Sequence, residues 1–404
     1  MNYKKIAILV GFILLTAVIG YFIFVFFFKP ETAPVSGPET PLEGVPGGLP
    51  EAGSGQPSPI GSEEGQLPDA GSTPGGTGAV SGAVTVEDAA ADLGSVTNAA
   101  LSASGRMRFF NERDGKFYGL DANGAPIALS DKRFAGAENI TWSNTSNKAI
   151  IEFPDGSKVR YDFDSEQQVT LPKHWEDFDF SPSGDKLVSK SIGVDPDNRW
   201  LIISNDDGSQ ARQIEALGEN GDDVISSWSP NNQSVAMYVE SLDFNRKEIY
   251  FIGQNGENFK SITAEGRGFQ PQWSPSGNEL LYSVYSADND YKPTLWLVNA
   301  QGDTIGDNRR PLGLNTWADK CSFGSGAMYC AVPQSLDRGA GMFPALSEGR
   351  PDFLYRIDPQ SGAKELVNLG GASYSMKNLT VSPDGSYLFF TDSSTNRLKK
   401  IRLR

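Results

Sequence analysis

Trp273-Ser274-Pro275-Ser276-Gly277, with Leu280-Leu281-Tyr282-Ser283-Val284 just behind it, constrains the fold more than any other stretch. An aromatic ends one strand, proline presets φ for a tight turn, and glycine accepts positive φ. A second strand then begins. The pattern returns along the chain with its anchor at Leu101, Trp142, Phe180, Trp228, Trp273, Phe323 and Val381, at intervals of 38 to 58 residues. That is the spacing of four-stranded propeller blades. The expected fold is all-β: a seven-bladed β-propeller of four-stranded antiparallel blades.

Each unit repeats the same grammar. Apolar side chains fall seven and nine residues past the anchor, as Ala149 and Ile151, Val235 and Met237, Leu280 and Tyr282, and Leu388 and Phe390. In the first repeat Met107 and Phe109 stand one residue out of step. A third strand such as Leu295-Trp296-Leu297-Val298 runs into a polar turn, Asn299-Ala300-Gln301-Gly302, and a short fourth strand closes most units. The seventh repeat stops after its third strand, Arg397 to Leu403, so its fourth must come from elsewhere. Ala83-Val84-Thr85-Val86, within the stretch 81–94, is the expected ring-closing strand, because it would cover an exposed sheet edge.

These turns resemble the TolB-type β-propeller repeat, a cousin of the WD repeat that carries Trp-Ser-Pro-Asp-Gly in place of the Trp-Asp dipeptide. The resemblance covers residues 95–404 and is strongest in repeats three, four, five and seven. It implies a ring of sheets around a central channel, used mostly as a protein-interaction surface. TolB has an α/β domain ahead of its propeller. Here an anchor and a tether stand in that place, so TolB's partners are not carried over.

Residues 6–28 contain no charge. As a helix rising 1.5 Å per residue they reach about 34 Å, enough for a hydrocarbon core of about 30 Å. We read 6–28 as a transmembrane signal-anchor helix, with a cleaved signal as the alternative. Lys4 and Lys5 precede the span and only Lys29 follows. The positive-inside rule then puts residues 1–5 in the cytoplasm and the propeller outside, periplasmic or at the cell surface. Residues 29–80 are rich in Pro, Gly, Ser and Glu, too poor in apolar side chains to order themselves, and read as a disordered tether. The propeller takes 81–404.

The net charge of −15 comes partly from a stretch, Pro30 to Gly105, that holds ten carboxylates and no Lys or Arg. An acidic body without a basic stripe argues against nucleic acid as a partner.

Residues with chemical potential are few. His174 is the sole histidine, no Gly-x-Ser-x-Gly elbow occurs, and no phosphate-cradling loop is evident. No catalytic, cofactor or metal site is expected. The acid-rich turns at 195–198, 205–208 and 288–290 do not match the EF-hand spacing. Cys321 and Cys330 flank the most degenerate turn, and outside the cytoplasm the expected state is a disulfide, with two buried thiols as the alternative. Recognition tends to sit in loops carried by a rigid frame. The longest is in repeat six, and Arg338, Met342, Phe343 and Arg350 make it the candidate interaction loop; packing against its own blade is the alternative. The reading is a non-catalytic scaffold that binds an envelope protein or peptide and is held to the membrane through 6–28. A carbohydrate-active or glycan-binding propeller with carboxylates at the channel mouth, or a structural assembly subunit, are the alternatives.

Overall fold

The computed structural model describes residues 78–79, 83–102, 104–121 and 124–403. The predicted terminus 1–5, the span 6–28 and nearly all of the tether 29–80 lie outside the described residues. Among the described residues no helix is long and apolar enough to cross a membrane.

The body is seven sheets, each built around three or four consecutive antiparallel strands. Blade 1 runs Thr97–Leu101, Met107–Asn111, Lys116–Leu120 and Pro126–Ala128. Blade 2 runs Asn139–Trp142, Lys148–Glu152, Lys158–Asp162 and Gln167–Leu171. Blade 3 runs Trp175–Phe180, Lys186–Ile192, Arg199–Asn205 and Arg212–Ala216, and blade 4 runs Val224–Ser226, Ser234–Ser241, Arg246–Gly253 and Asn258–Glu265. Blade 5 has Arg267–Trp273, Glu279–Tyr285, Pro293–Asn299 and a two-residue outer strand, Arg310–Pro311. Blade 6 has Cys321–Phe323, Met328–Pro333, Asp352–Ile357 and Lys364–Leu366, and blade 7 has Met376–Val381, Tyr387–Asp392 and Arg397–Arg402.

The anchors mark inner-strand ends, as the turn chemistry requires. Trp273 pairs with Leu280, Phe180 with Leu187, Val381 with Leu388 and Trp142 with Ala149. In blade 1 Leu101 pairs with Met107. Its turn closes from the Ser102 N–H to the Arg106 carbonyl, whereas blade 3 closes from Ser181 to Lys186. One residue fewer in the turn explains the out-of-step repeat.

Both faces of the second strands are buried, not one. Leu280 and Tyr282 pack with Met237, Ile249 and Phe251 of blade 4. Leu281, between them, packs with Cys321, Met328 and Cys330 of blade 6. Alternation sends neighbouring side chains to opposite faces, and a blade has a blade on each side. Full burial of such a side chain contributes about 1.5–3 kcal/mol, so the ring's stability lies between blades.

The inner strands of blades 1, 3, 5 and 7 carry a register shift, with a left-handed residue at each: Asn98, Asp177, Gly268 and Asn378. Those of blades 2, 4 and 6 are shorter and have none.

Blade 7 takes its outer strand from Val86–Asp88, antiparallel to Arg397–Arg402. The ladder sets Glu87 opposite Lys400 and Asp88 opposite Lys399, with ion pairs of 3.2 and 2.6 Å. The sequence reading placed this strand at 83–86. The pairing begins only at Val86 because the Val84 N–H is held by the Asn368 carbonyl at 2.8 Å, on the way across from blade 6. There Gly78–Ala79 add a fifth, parallel strand beside Lys364–Leu366.

Candidate functional site

Antiparallel order fixes what each end of the ring displays. The turns from first to second and from third to fourth strand lie at one end, the turn end. The loops from second to third strand, and the connections between blades, lie at the other, the loop end.

The loop end carries the exposed apolar surface. Among the described residues nine large hydrophobic side chains are exposed, and six stand in second-to-third-strand loops: Val194 of blade 3, Leu242 and Phe244 of blade 4, and Met342, Phe343 and Leu346 of blade 6. Single exposed apolar residues need no explanation, but a concentration on one end does.

The blade 6 loop is pinned in place. It does not lie on its own blade; it docks on blade 5. The Gly339 N–H donates to the Asp290 carbonyl and the Gly341 N–H to the Tyr291 carbonyl, each at 2.8 Å. Gly341 is needed for that approach, since a Cβ there would come within 2.5 Å of the Tyr285 Cβ. Beyond it Phe343 is 60% exposed, and Pro344–Ser347 form a 3-10 turn. Arg350 pairs with Asp337 inside the loop, and Arg338 is exposed without an ion pair among the described residues. So Met342, Phe343 and Arg338 face outward, while Arg350 braces the loop.

The surface continues into blade 4. The Arg267 guanidinium stands over the Phe244 ring at 4.3 Å and the Tyr285 ring at 5.6 Å. Tyr285 in turn touches Gly341. Phe244, Arg267 and Tyr285 are residues that the sequence reading did not single out. The available signal was a Phe in the polar turn Leu242-Asp243-Phe244-Asn245.

At the channel mouth on this end lies a cleft of about 460 Å³, bounded by Gln270, Trp317, Lys320, Glu348, Lys377 and Asn396 among others. Its charges already hold the ring together. Lys320 Nζ donates to both Asp352 oxygens at 2.7 and 2.8 Å, and Asp352 also accepts the Met376 N–H at 2.7 Å. Lys377 Nζ donates to Asn396. Burial pushes the carboxyls of Asp352 and Asp319 up from their usual range, against the pull of Lys320. At the same end of the ring, Glu152 at the end of the second strand of blade 2 is likewise pushed up by burial, with Lys158 opposing. Among the described residues no three of His, Cys, Asp and Glu converge as a metal site.

The other singled-out residues are placed as follows. Phe180, Val381, Trp142 and Trp228 are buried; Leu101, Trp273 and Phe323 are half-buried, Trp273 against Phe251 of the preceding blade. Cys321 and Cys330 are directly opposite in the ladder, joined as a disulfide and buried between blades 5 and 6. His174 is exposed in the connection from blade 2 to blade 3. The acid-rich turns cap themselves: Asp195 accepts from the Asp197 N–H and Asp207 from the Ser209 N–H.

No protein-family model matches the chain, and no curated protein matches it. Solved structures do. The β-propeller domain of Cps50 (Swd1) from Myceliophteria thermophila is similar at a TM-score of 0.51 and 12% identity, over 77% of this chain and 98% of that one. The tricorn protease is similar at a TM-score of 0.50 and 10% identity, over 79% of this chain but 34% of that one. An oligogalacturonate lyase in complex with manganese has a TM-score of 0.47 at 14% identity, over 80% of this chain and 91% of that one. The chain is a seven-bladed β-propeller. Likeness at such identities concerns the fold alone.

Proposed function

We propose that the protein is a TolB-type propeller, tethered to a membrane through residues 6–28 and displayed outside the cytoplasm, that binds another envelope protein or a peptide without catalysis. The observation that carries this reading is the loop end. Six of nine exposed large apolar side chains among the described residues stand there, three of them on the blade 6 loop that is pinned to blade 5. A pinned loop loses little entropy on binding, and aromatic side chains beside arginine are the usual energetic centre of an interface. The non-catalytic part rests on the mouth, where Asp352, Lys320 and Lys377 are engaged in cross-strand and cross-blade bonds.

The test is site-specific photo-crosslinking in the native membrane. A probe at Phe343 or Phe244 is expected to give one discrete adduct, and a probe at Ile127, exposed on the outer strand of blade 1, none. Equal labelling at all three positions, or none at any, would overturn the reading.

A further inference from the structure

The outer wall between blades 3 and 4, where the connection 217–223 joins them, carries a second feature apart from the exposed apolar loops. A groove of about 340 Å³ opens there, with Leu217, Val224 and Ile252 at its apolar base, Tyr238 and Tyr250 along one wall and Glu215 at its rim. Tyr238 and Tyr250 are cross-strand partners, and their rings stack at 6.1 Å between centroids with planes 23° apart. Tyr250 is 39% exposed, so the pair offers a ring face to solvent.

The same face of the sheet carries an unusual charge pair. Glu240 is directly opposite Glu248 in the ladder, two residues along from the tyrosines. Like charges directly opposite destabilise a sheet. Serine and threonine hydroxyls relieve part of this: Ser261 and Thr263 donate to the Glu248 oxygens. No cation does. Among the described residues none of Glu215, Asp223, Glu240 and Glu248 pairs with Lys or Arg, and Lys247 falls on the opposite face by alternation. The carboxylates reach the rings. Tyr238 and Tyr250 are both pushed up, by desolvation first and then by Glu240, with Asp223 and Glu248 adding.

We propose that this groove binds an arginine side chain presented by an extended segment of another protein. A guanidinium stacks on a tyrosine face and meets a carboxylate with two parallel N–H donors. It also supplies the charge that Glu240 and Glu248 lack. The segment has backbone to meet as well, because the groove runs beside Arg212–Ala216, the outermost strand of blade 3, whose outer edge is unpaired among the described residues. The chain's own tether cannot supply an arginine, since residues 29–80 contain none and their one cation, Lys29, directly follows the apolar stretch 6–28. The occupant is therefore external. This site is independent of the loop-end reading, and either stands if the other fails.

The experiment uses the full 404-residue chain in detergent micelles and a fluorescein-labelled Gly-Ser-Arg-Ser-Gly peptide, followed by anisotropy at low salt. Saturable binding is expected, weakened at least about tenfold when citrulline replaces arginine or when Tyr250→Ala removes the ring. Tyr250→Phe is expected to keep the affinity within about threefold, because the π-face remains. The double variant Glu240→Gln, Glu248→Gln is expected to lose binding and to unfold at a higher urea concentration, since the repulsion is gone. A merely structural role for these residues would move stability the other way. Asp92→Asn with Glu138→Gln, both exposed on other blades, controls for general attraction to an acidic protein and is expected to leave binding unchanged. Equal binding of the citrulline peptide, an equal loss in the control variant, retained binding in the double Gln variant, or no binding of the arginine peptide would each overturn the proposal. Should Tyr250→Ala fail to fold, the citrulline peptide and the double Gln variant decide.

Discussion

At the turn end the connections touch one another; at the loop end they vary from the single residue Gly266 to the eighteen residues 334–351. The Asn231 side-chain amide donates to the Gly277 carbonyl of the next turn at 2.8 Å. Gly184 lies against Ser143, Thr145 and Ser146 of the preceding turn, and Gly105 against Pro383 of blade 7. A Cβ on Gly277 would come within 2.5 Å of the Asn231 backbone. So turn-end glycines answer to a neighbouring blade as well as to their own φ. The lesson is that the repeat is written where blades meet, and a loop that meets no neighbouring turn is released from it.

Breaking the turn end should therefore cost the most. Arg108, on the second strand of blade 1, is 1% exposed and donates to the carbonyls of Leu101, Ser143 and Ser146 at 2.8 to 3.0 Å. It also stacks on Trp142 at 4.5 Å, and burial lowers its guanidinium to about 10. Arg108→Leu keeps an apolar stem but leaves three carbonyls short of a donor. We expect a loss of about 3–5 kcal/mol in urea unfolding. A midpoint shift worth under about 1 kcal/mol would show that the blade 1 to blade 2 contact does not depend on it.

Next in size is blade 6, where the turn is shortest. The Gly324 N–H bonds back to the Ala327 carbonyl, leaving Ser325 and Gly326 as a two-residue hairpin in place of Ser-Pro-x-Gly. Its Cys321–Cys330 link closes a loop with a sequence separation of 9. On the chain-entropy model, opening it should cost about 2.5 kcal/mol. Unfolding of the Cys321→Ala, Cys330→Ala double variant, beside the oxidised parent with and without reductant, measures this. If reductant shifts the double variant as much as the parent, the effect is not the disulfide's.

The comparison also explains what could be read from residues alone. Anchor positions, second-strand pairing and blade number follow from a turn whose hydrogen bonds are local, so spacing reveals them. Arg108 was visible only as an oddity, a cation inside Met107-Arg108-Phe109-Phe110. Its partners lie 35 and 38 residues away in another repeat, and no local rule points to them. The closing strand was legible as a need for a fourth strand, but not to the residue, because Asn368 of blade 6 decides where pairing starts. At the loop end, the long loop carrying Met342 and Phe343 was legible, but the sequence left its exposure open against packing on its own blade. Docking of Gly339 and Gly341 on blade 5 did not, since it depends on Tyr285, Asp290 and Tyr291 of a different repeat.

At the loop end a smaller and more local effect is expected. Gly341→Ala sets a methyl against the Tyr285 Cβ and, at 2.7 Å, the Tyr291 carbonyl. Relief of that clash should lift the loop from blade 5 at a cost of about 1–2 kcal/mol. Trypsin should cut after Arg338 faster, and the crosslink at Phe343 should weaken, while the urea midpoint falls by no more than this local cost. If cleavage is unchanged, the loop is not held by this contact. If the whole ring loosens, the loop end is more closely coupled to the blades than the hydrogen bonds imply.

The weakest effect separates the two ends by pH. Two carboxylates within the Ser-Pro-x-Gly turns lie below their usual range because hydroxyls and amides donate to them. Ser183 does so for Asp185, and Ser382 with Ser386 holds Asp384 at about 2. A carboxyl depressed in the folded state contributes stability above its unfolded value of 3.8, and loses it as pH falls through about 2. The loop-end carboxyls Asp319, Asp352 and Glu152 are raised by burial, so their sign is opposite. Their contribution is largest below the unfolded values and declines as pH rises through the folded ones. Acidification from about pH 5 to about pH 2 should therefore loosen the Ser-Pro-x-Gly turns first while these three groups resist. Amide hydrogen exchange read on the two ends tests this. Faster exchange at Gly385 and Ser386 than at Met376 on acidification, after correction for intrinsic rates, is the expected result. Ser382→Ala should remove part of the turn-end change, because Asp384 then loses a donor. Uniform loosening of both ends would mean that the carboxylates act through the net charge of the ring and not through the bonds that each one makes.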